Sequence, residues 1–135
     1  MVTVKLEYTG DLHTVATHEP SRATMDTDAP TDNQGKGETF SPTDLCASAL
    51  GSCMVTTIGI KGQSRGWDLT GAKVRVDKIM SADAPRRIAR LDVDLQLPDR
   101  FNKAEKREIV EIAHTCPVYL SLNPSIEMKV NLRWV

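Results

Sequence analysis

The chain has 135 residues, of which 40% are hydrophobic, 26% charged and 4% aromatic, with a formal net charge of −1. That length fits one compact domain with its own core. The balanced charge speaks against a basic nucleic-acid surface, and the scarce aromatics leave few platforms for stacking bases. Met1 leads straight into an alternating strand pattern rather than a basic segment and an apolar run, so no secretory signal is expected. Three cysteines, an odd number in a chain with no export signal, point to reduced thiols in a cytoplasm rather than a disulfide framework.

In chain order, Val2, Val4, Leu6 and Tyr8 alternate with Thr3, Lys5 and Glu7 as a first strand. Thr9-Gly10-Asp11 reads as a turn and Leu12–His18 as a second strand. A turn at Glu19-Pro20-Ser21 leads to a third strand over Arg22–Thr27. Asp28 to Gly37 is a polar loop with no apolar anchor. It feeds the segment SPTDLCASALGSCMVTTIGI, Ser41 to Ile60. Ser41 as N-cap, Pro42 at the first helical position and Asp44 three after the cap predict a helix start. The body is apolar on most sides and predicts a central, buried helix ending near Gly62 or Gly66. Gly51 and Gly59 suit places where another backbone comes close. The stretch between Asp44 and Lys61 is too short and too interrupted by Ser, Thr and Gly to be a membrane span.

Val74 and Val76 mark a fourth strand. Ala89, Leu91, Val93, Leu95 and Leu97 mark a fifth, with a turn at Ala84-Pro85 between them. Asn102 and Glu105 form a capping box for a second helix, with Ile109, Val110, Ile112 and Ala113 as its apolar stripe. That helix stops near Cys116, because a residue before proline is pushed out of the helical region. Pro117 then opens a short helix over Val118–Leu122. Ile126, Met128, Val130, Leu132 and Trp134 alternate as a last strand. The whole predicts one α+β domain over residues 1–135, with antiparallel sheets covered on one face by helices.

Two thiols stand at unusual places. Cys53 lies mid-helix, and Cys116 directly precedes Pro117 at a helix N-terminus, where free amides and the dipole favour a thiolate. One thiol oxidised to sulfenic acid and a second condensing with it form the working unit of a two-cysteine peroxidase. The plainer alternative is that both pack as small hydrophobes. Cys46 lies two helical turns before Cys53, about 10 Å along the axis. That exceeds the about 7 Å within which disulfide Cα atoms must lie. The two cannot bridge in an intact helix, Cys46 is expected to be a packing residue, and Cys116 remains the candidate partner for Cys53. No CxxC or HxxxH spacing supports zinc, and no metal or other cofactor is expected. His13, His18 and His114 form no motif of a Cys–His hydrolase.

S-P-T-D-L-x-A-S-A-L-G-S-C, Ser41 to Cys53, followed by A-H-T-C-P-V, Ala113 to Val118, resembles the OsmC/Ohr family, the osmotically inducible protein C and organic hydroperoxide resistance proteins. The order of elements matches over essentially the whole chain. The resemblance implies a single OsmC-like domain forming an intertwined homodimer, with central helices wrapped by sheets and a site at the subunit interface. It implies Cys53 as the peroxidatic thiol and Cys116 as the resolving thiol. Organic hydroperoxides are the implied substrates, and dithiols such as protein-bound lipoyl groups the implied reductants. Peroxidase members of the family carry an arginine near the first hairpin and a glutamate just after the proline that opens the long helix. Here Thr43 holds the glutamate place with Asp44 beside it, and Arg22 or His13 is the candidate for the cation. Tyr119 replaces the serine often seen three after the resolving cysteine. The expected activity is thiol-dependent reduction of organic hydroperoxides in oxidative-stress defence, in the cytoplasm, with no nucleic-acid or membrane partner. The alternative is a non-enzymatic redox sensor or a binder of a small apolar ligand. A cation beside Cys53 favours catalysis and an apolar surround favours the alternative.

Overall fold

The structure, a computed structural model, describes residues 1–135 as two compact units, Met1–Cys46 and Ala47–Val135. The boundary falls inside a long helix, α1 (Pro42–Gly62).

The first unit is an antiparallel sheet in the order β1 (Val4–Gly10), β2 (His13–His18), β3 (Thr24–Asp28). The β1–β2 turn is shorter than Thr9-Gly10-Asp11 and lies further along the chain, at Asp11-Leu12. Asp11 and Leu12 both have positive φ, 51° and 61°, as a two-residue hairpin turn with matching twist requires. Leu12 therefore belongs to the turn, and β2 starts at His13. Arg22 is likewise a turn residue, at φ 63°, and not the first residue of β3. The loop expected to lack an anchor contains a short 3-10 helix, Thr31–Asn33, and is tied back by the Glu38 amide, which donates to Asp28 Oδ2 at 3.1 Å. Val4, Leu6 and Tyr8 do share a face of β1, yet they are 51%, 66% and 65% exposed. This strip of apolar surface is uncovered.

The second unit holds the C-terminal part of α1, then β4 (Lys73–Met80), β5 (Ile88–Leu97), α2 (Lys103–Ala113), α3 (Pro117–Ser121) and β6 (Glu127–Trp134). The sheet order is β4-β5-β6. β4 and β5 pair antiparallel, but β5 and β6 pair parallel, contrary to the all-antiparallel expectation. Segment 98–126, with α2 and α3, is the long crossover that a parallel pair requires. The alternation in β6 says which face is buried and is silent on strand direction.

One core joins these elements. Leu50, Met54 and Ile58 of α1, Leu91, Val93, Leu95 and Leu97 of β5, and Ile109, Ile112 and Ala113 of α2 pack as a single cluster. Their spacing on α1 is one helical face. Gly51 sits on that face because β4 comes close: a Cβ there would meet Val74 Cγ1 and Val76 Cγ2 at 2.9 Å. Gly59 has ordinary space around it, with Leu69 Cδ1 at 3.8 Å, so its role is not a close approach. The expectation of burial on most sides is corrected. The most apolar 18-residue window of this helix has a mean hydropathy of 1.3 but is only 28% buried, with Ser48, Ser52, Thr56 and Ile60 exposed along the other side.

Candidate functional site

The helix start is built as its sequence dictates. Ser41 Oγ accepts from the Asp44 amide at 3.1 Å, and Asp44 Oδ2 accepts from the Ser41 amide at 2.9 Å. The box satisfies two otherwise orphaned donors. Thr43 Oγ1 lies 3.2 Å from Ser41 Oγ. Both candidates for the glutamate place thus serve the cap. Cys46, the last residue of the first unit, is half-exposed and lies outside the core cluster of the second.

Cys53 sits at the flank of the buried stripe, half-buried and packed against the core. Its sulfur lies 3.9 Å from Thr57 Oγ1, one turn further along the same face. The other end of the site comes from the α2–α3 junction. α2 opens on the predicted capping box of Asn102 and Glu105 and ends at Ala113. Cys116 takes the extended conformation, φ −67° and ψ 145°, that Pro117 imposes. It caps α3, its sulfur accepting from the Tyr119 amide at 3.3 Å. Cys116 is wholly buried, and its side chain is close enough to that of Cys53 for the two to interact electrostatically. The two thiols paired by family resemblance are therefore neighbours, brought together by the core that joins α1 to α2.

The thiolate expected at Cys116 is corrected by this burial. Desolvation pushes the Cys116 thiol up from its ordinary value, against the Tyr119 and Val118 amides, and the Cys53 side chain adds to the rise. A five-residue helix offers too little dipole to offset the loss of water around a charge. The buried member of the pair is held neutral, and the half-exposed member is the one that meets a solute.

His13, a candidate for the family's arginine, stands between two carboxylates. Its Nδ1 is 2.5 Å from Asp28 Oδ1, and its Nε2 is 3.5 Å from Asp26 Oδ2. Carboxylates only accept, so serving both requires the doubly protonated ring. The Asp28 hydrogen bond raises the His13 value above the usual 6.5, and His13 in turn lowers Asp28 below 3.8. Asp11, Lys36 and Glu38 line the same small pocket. The signs fix a pH window. The His13 contribution to stability is full below its unfolded value and is lost as pH rises through the raised folded value. The Asp28 contribution is present above its unfolded value and is lost as pH falls through the lowered one. We expect the melting-temperature difference between wild type and His13→Gln to be greatest between about pH 4 and 6.5 and to shrink on both sides. A difference independent of pH from 4 to 9 would remove the ion pair from the account.

Of the residues anticipated from sequence, Cys53 and Cys116 are brought together in the second unit. His13, Arg22, Thr43 and Asp44 all belong to the first. Thr57, Asp26 and Asp28 were not anticipated. The i, i+4 spacing of Thr57 from Cys53 is a signal that was legible; the pairing of His13 with Asp28 across β2 and β3 needed the register. No group of His, Cys, Asp and Glu side chains is arranged to hold a metal ion.

Fold and site together define a small α+β protein with two adjoining thiols, one half-exposed and one buried. The OsmC-like protein family matches residues 35–131, and the chain belongs to that family. A solved structure from Psychrobacter arcticus 273-4, of a protein named for osmotic stress induction and a detoxification response, is 44% identical, with a TM-score of 0.92 over 98% of this chain and 96% of that one. The OsmC-like protein of Mycoplasma pneumoniae superposes with a TM-score of 0.83 at 14% identity, covering 100% of this chain and 97% of that one. The organic hydroperoxide resistance protein OsmC of Legionella pneumophila does so with a TM-score of 0.73 at 17% identity, covering 98% and 96%. The last two are similar in fold. Comparison with curated proteins gives no match.

Proposed function

We propose that this protein reduces organic hydroperoxides by a two-cysteine mechanism, in the cytoplasm, as part of a defence against oxidative stress. The observation that carries the reading is the proximity of half-exposed Cys53 to buried Cys116, near enough that each thiol feels the other. The detoxification name of the Psychrobacter arcticus protein and the hydroperoxide resistance name of the Legionella pneumophila protein support the substrate class.

The Cys53 thiolate sulfur attacks the terminal oxygen of the hydroperoxide. The O–O bond breaks, the alkoxide takes a proton and leaves as an alcohol, and Cys53 becomes a sulfenic acid. Cys116 sulfur then attacks Cys53 sulfur. The S–O bond breaks, the Cys116 proton goes to the departing hydroxide as water, and a Cys53–Cys116 disulfide remains. A dithiol reductant, such as a protein-bound lipoyl group, exchanges with that disulfide, is itself oxidised to a disulfide, and returns both thiols.

The uncovered apolar strip of β1 and the little-buried apolar window of α1 support a homodimer, in which a second copy covers them. Light scattering at micromolar concentration is expected to give twice the mass of the chain, and a monomer would count against this assembly. For the chemistry, one equivalent of cumene hydroperoxide is expected to consume two thiols and yield a Cys53–Cys116 disulfide within one chain. Peptide mapping that finds Cys53 still reduced would sink the peroxidase reading. A second reading, a non-enzymatic redox sensor, draws on the contacts of Cys53 in its own unit: Thr57 and Cys116 bring it no positive charge. Disulfide formation without repeated turnover in excess dithiol would select it.

A further inference from the structure

We propose that Thr57 is a positioning residue that sets the reactivity of Cys53, by donating its hydroxyl hydrogen to the thiolate sulfur. The inference rests on Cys53 being the attacking thiol and adds to that reading the group that activates it. Residues i and i+4 of a helix stand one above the other, and Thr57 Oγ1 lies 3.9 Å from Cys53 Sγ. A mid-helix threonine ordinarily turns its hydroxyl back to the carbonyl four residues before it. Here the hydroxyl is paired with the sulfur instead.

The direction of that bond follows the protonation state. A Cys53 thiol can donate to Thr57 Oγ1. Once the proton has gone, the sulfur can only accept, and the hydroxyl rotates to donate. A donor that serves the charged form favours that form. Reactive cysteines usually take this help from a lysine, arginine or protonated histidine. The neighbours given by the second unit are a hydroxyl and the Cys116 thiol, both neutral. Burial keeps Cys116 protonated, so it does not compete with Cys53 for charge.

The test reads thiol reactivity without any hydroperoxide, so it stands apart from whether the protein turns over peroxide. The rate of Cys53 alkylation by iodoacetamide is followed against pH on the full chain, with the modified peptide identified by mass spectrometry. Thr57→Val keeps the shape and removes the hydroxyl, and Thr57→Ser restores it. We expect Thr57→Val to react about three- to tenfold more slowly at pH 7, as loss of one modest hydrogen bond implies. Thr57→Ser should return to the wild-type rate. A wild-type profile in Thr57→Val overturns the proposal, and so does equal slowing in both variants, which would mean a packing effect. Should Thr57→Val fail to fold, Thr57→Ala against Thr57→Ser makes the same comparison.

Discussion

Cys53→Ser is expected to lower the consumption of cumene hydroperoxide to the background rate, a loss on the order of a thousandfold or more, as removal of an attacking group does. A serine hydroxyl in the same place has neither the acidity nor the polarisable sulfur that attack on an O–O bond uses. Cys116→Ser is expected to behave differently, and the difference carries the information. Its first turnover should proceed, because the half-exposed sulfur is untouched. Its Cys53 sulfenic acid should then persist and over-oxidise to sulfinic acid, visible as two added oxygens in the intact mass. Repeated turnover with dithiol by Cys116→Ser at the wild-type rate would show that the reductant meets the sulfenic acid directly, and Cys116 would lose its role. The deep burial of Cys116 argues that it is reached from Cys53 and not from solvent.

Phe101→Ala is expected to cost about 3–5 kcal/mol in urea denaturation followed by tryptophan fluorescence. Phe101 is 8% exposed and stands between two indoles. Its ring meets Trp67 edge-on at 5.9 Å and Trp134 at 5.8 Å, pairs that add about 0.5–1.5 kcal/mol each beyond the area they bury. Cations close the row: the Arg65 guanidinium lies 4.9 Å over Trp67 and the Lys106 ammonium 5.1 Å over Trp134. Trp67 Nε1 also donates to Glu105 Oε1 at 3.2 Å, and Glu105 completes the α2 capping box. The aromatic row therefore fixes the start of α2, the helix whose far end leads to Cys116. We expect Phe101→Leu, which keeps most of the volume, to recover more than half of the loss. A cost below about 1 kcal/mol for the alanine variant would mean that the rings are incidental neighbours rather than core.

The helix boundaries were legible in the sequence because they depend on groups a few residues apart. The Ser41–Asp44 and Asn102–Glu105 boxes form as written, and Pro117 forces Cys116 out of α2 as any proline does to the residue before it. The alternation of β5 likewise names its buried residues, Leu91 to Leu97. The family could be named from two short segments for a related reason: each couples a thiol to a local structural signal that few sequences share.

What the tertiary structure decided depends on partners far along the chain. The parallel pairing of β6 on β5 follows from the route of the crossover and not from any residue in β6. Arg22 looked like a strand residue until the turn placed it at positive φ, and the carboxylates that partner His13, Asp26 and Asp28, became visible only through the strand register. Cys116 sits at a helix N-terminus, as its sequence says, yet it is held neutral because burial by the surrounding core outweighs a few amides. Sequence placed both cysteines on their helices; only packing brought one thiol near the other and left one of them within reach of solvent, because desolvation and proximity are properties of what surrounds a residue, not of what precedes it.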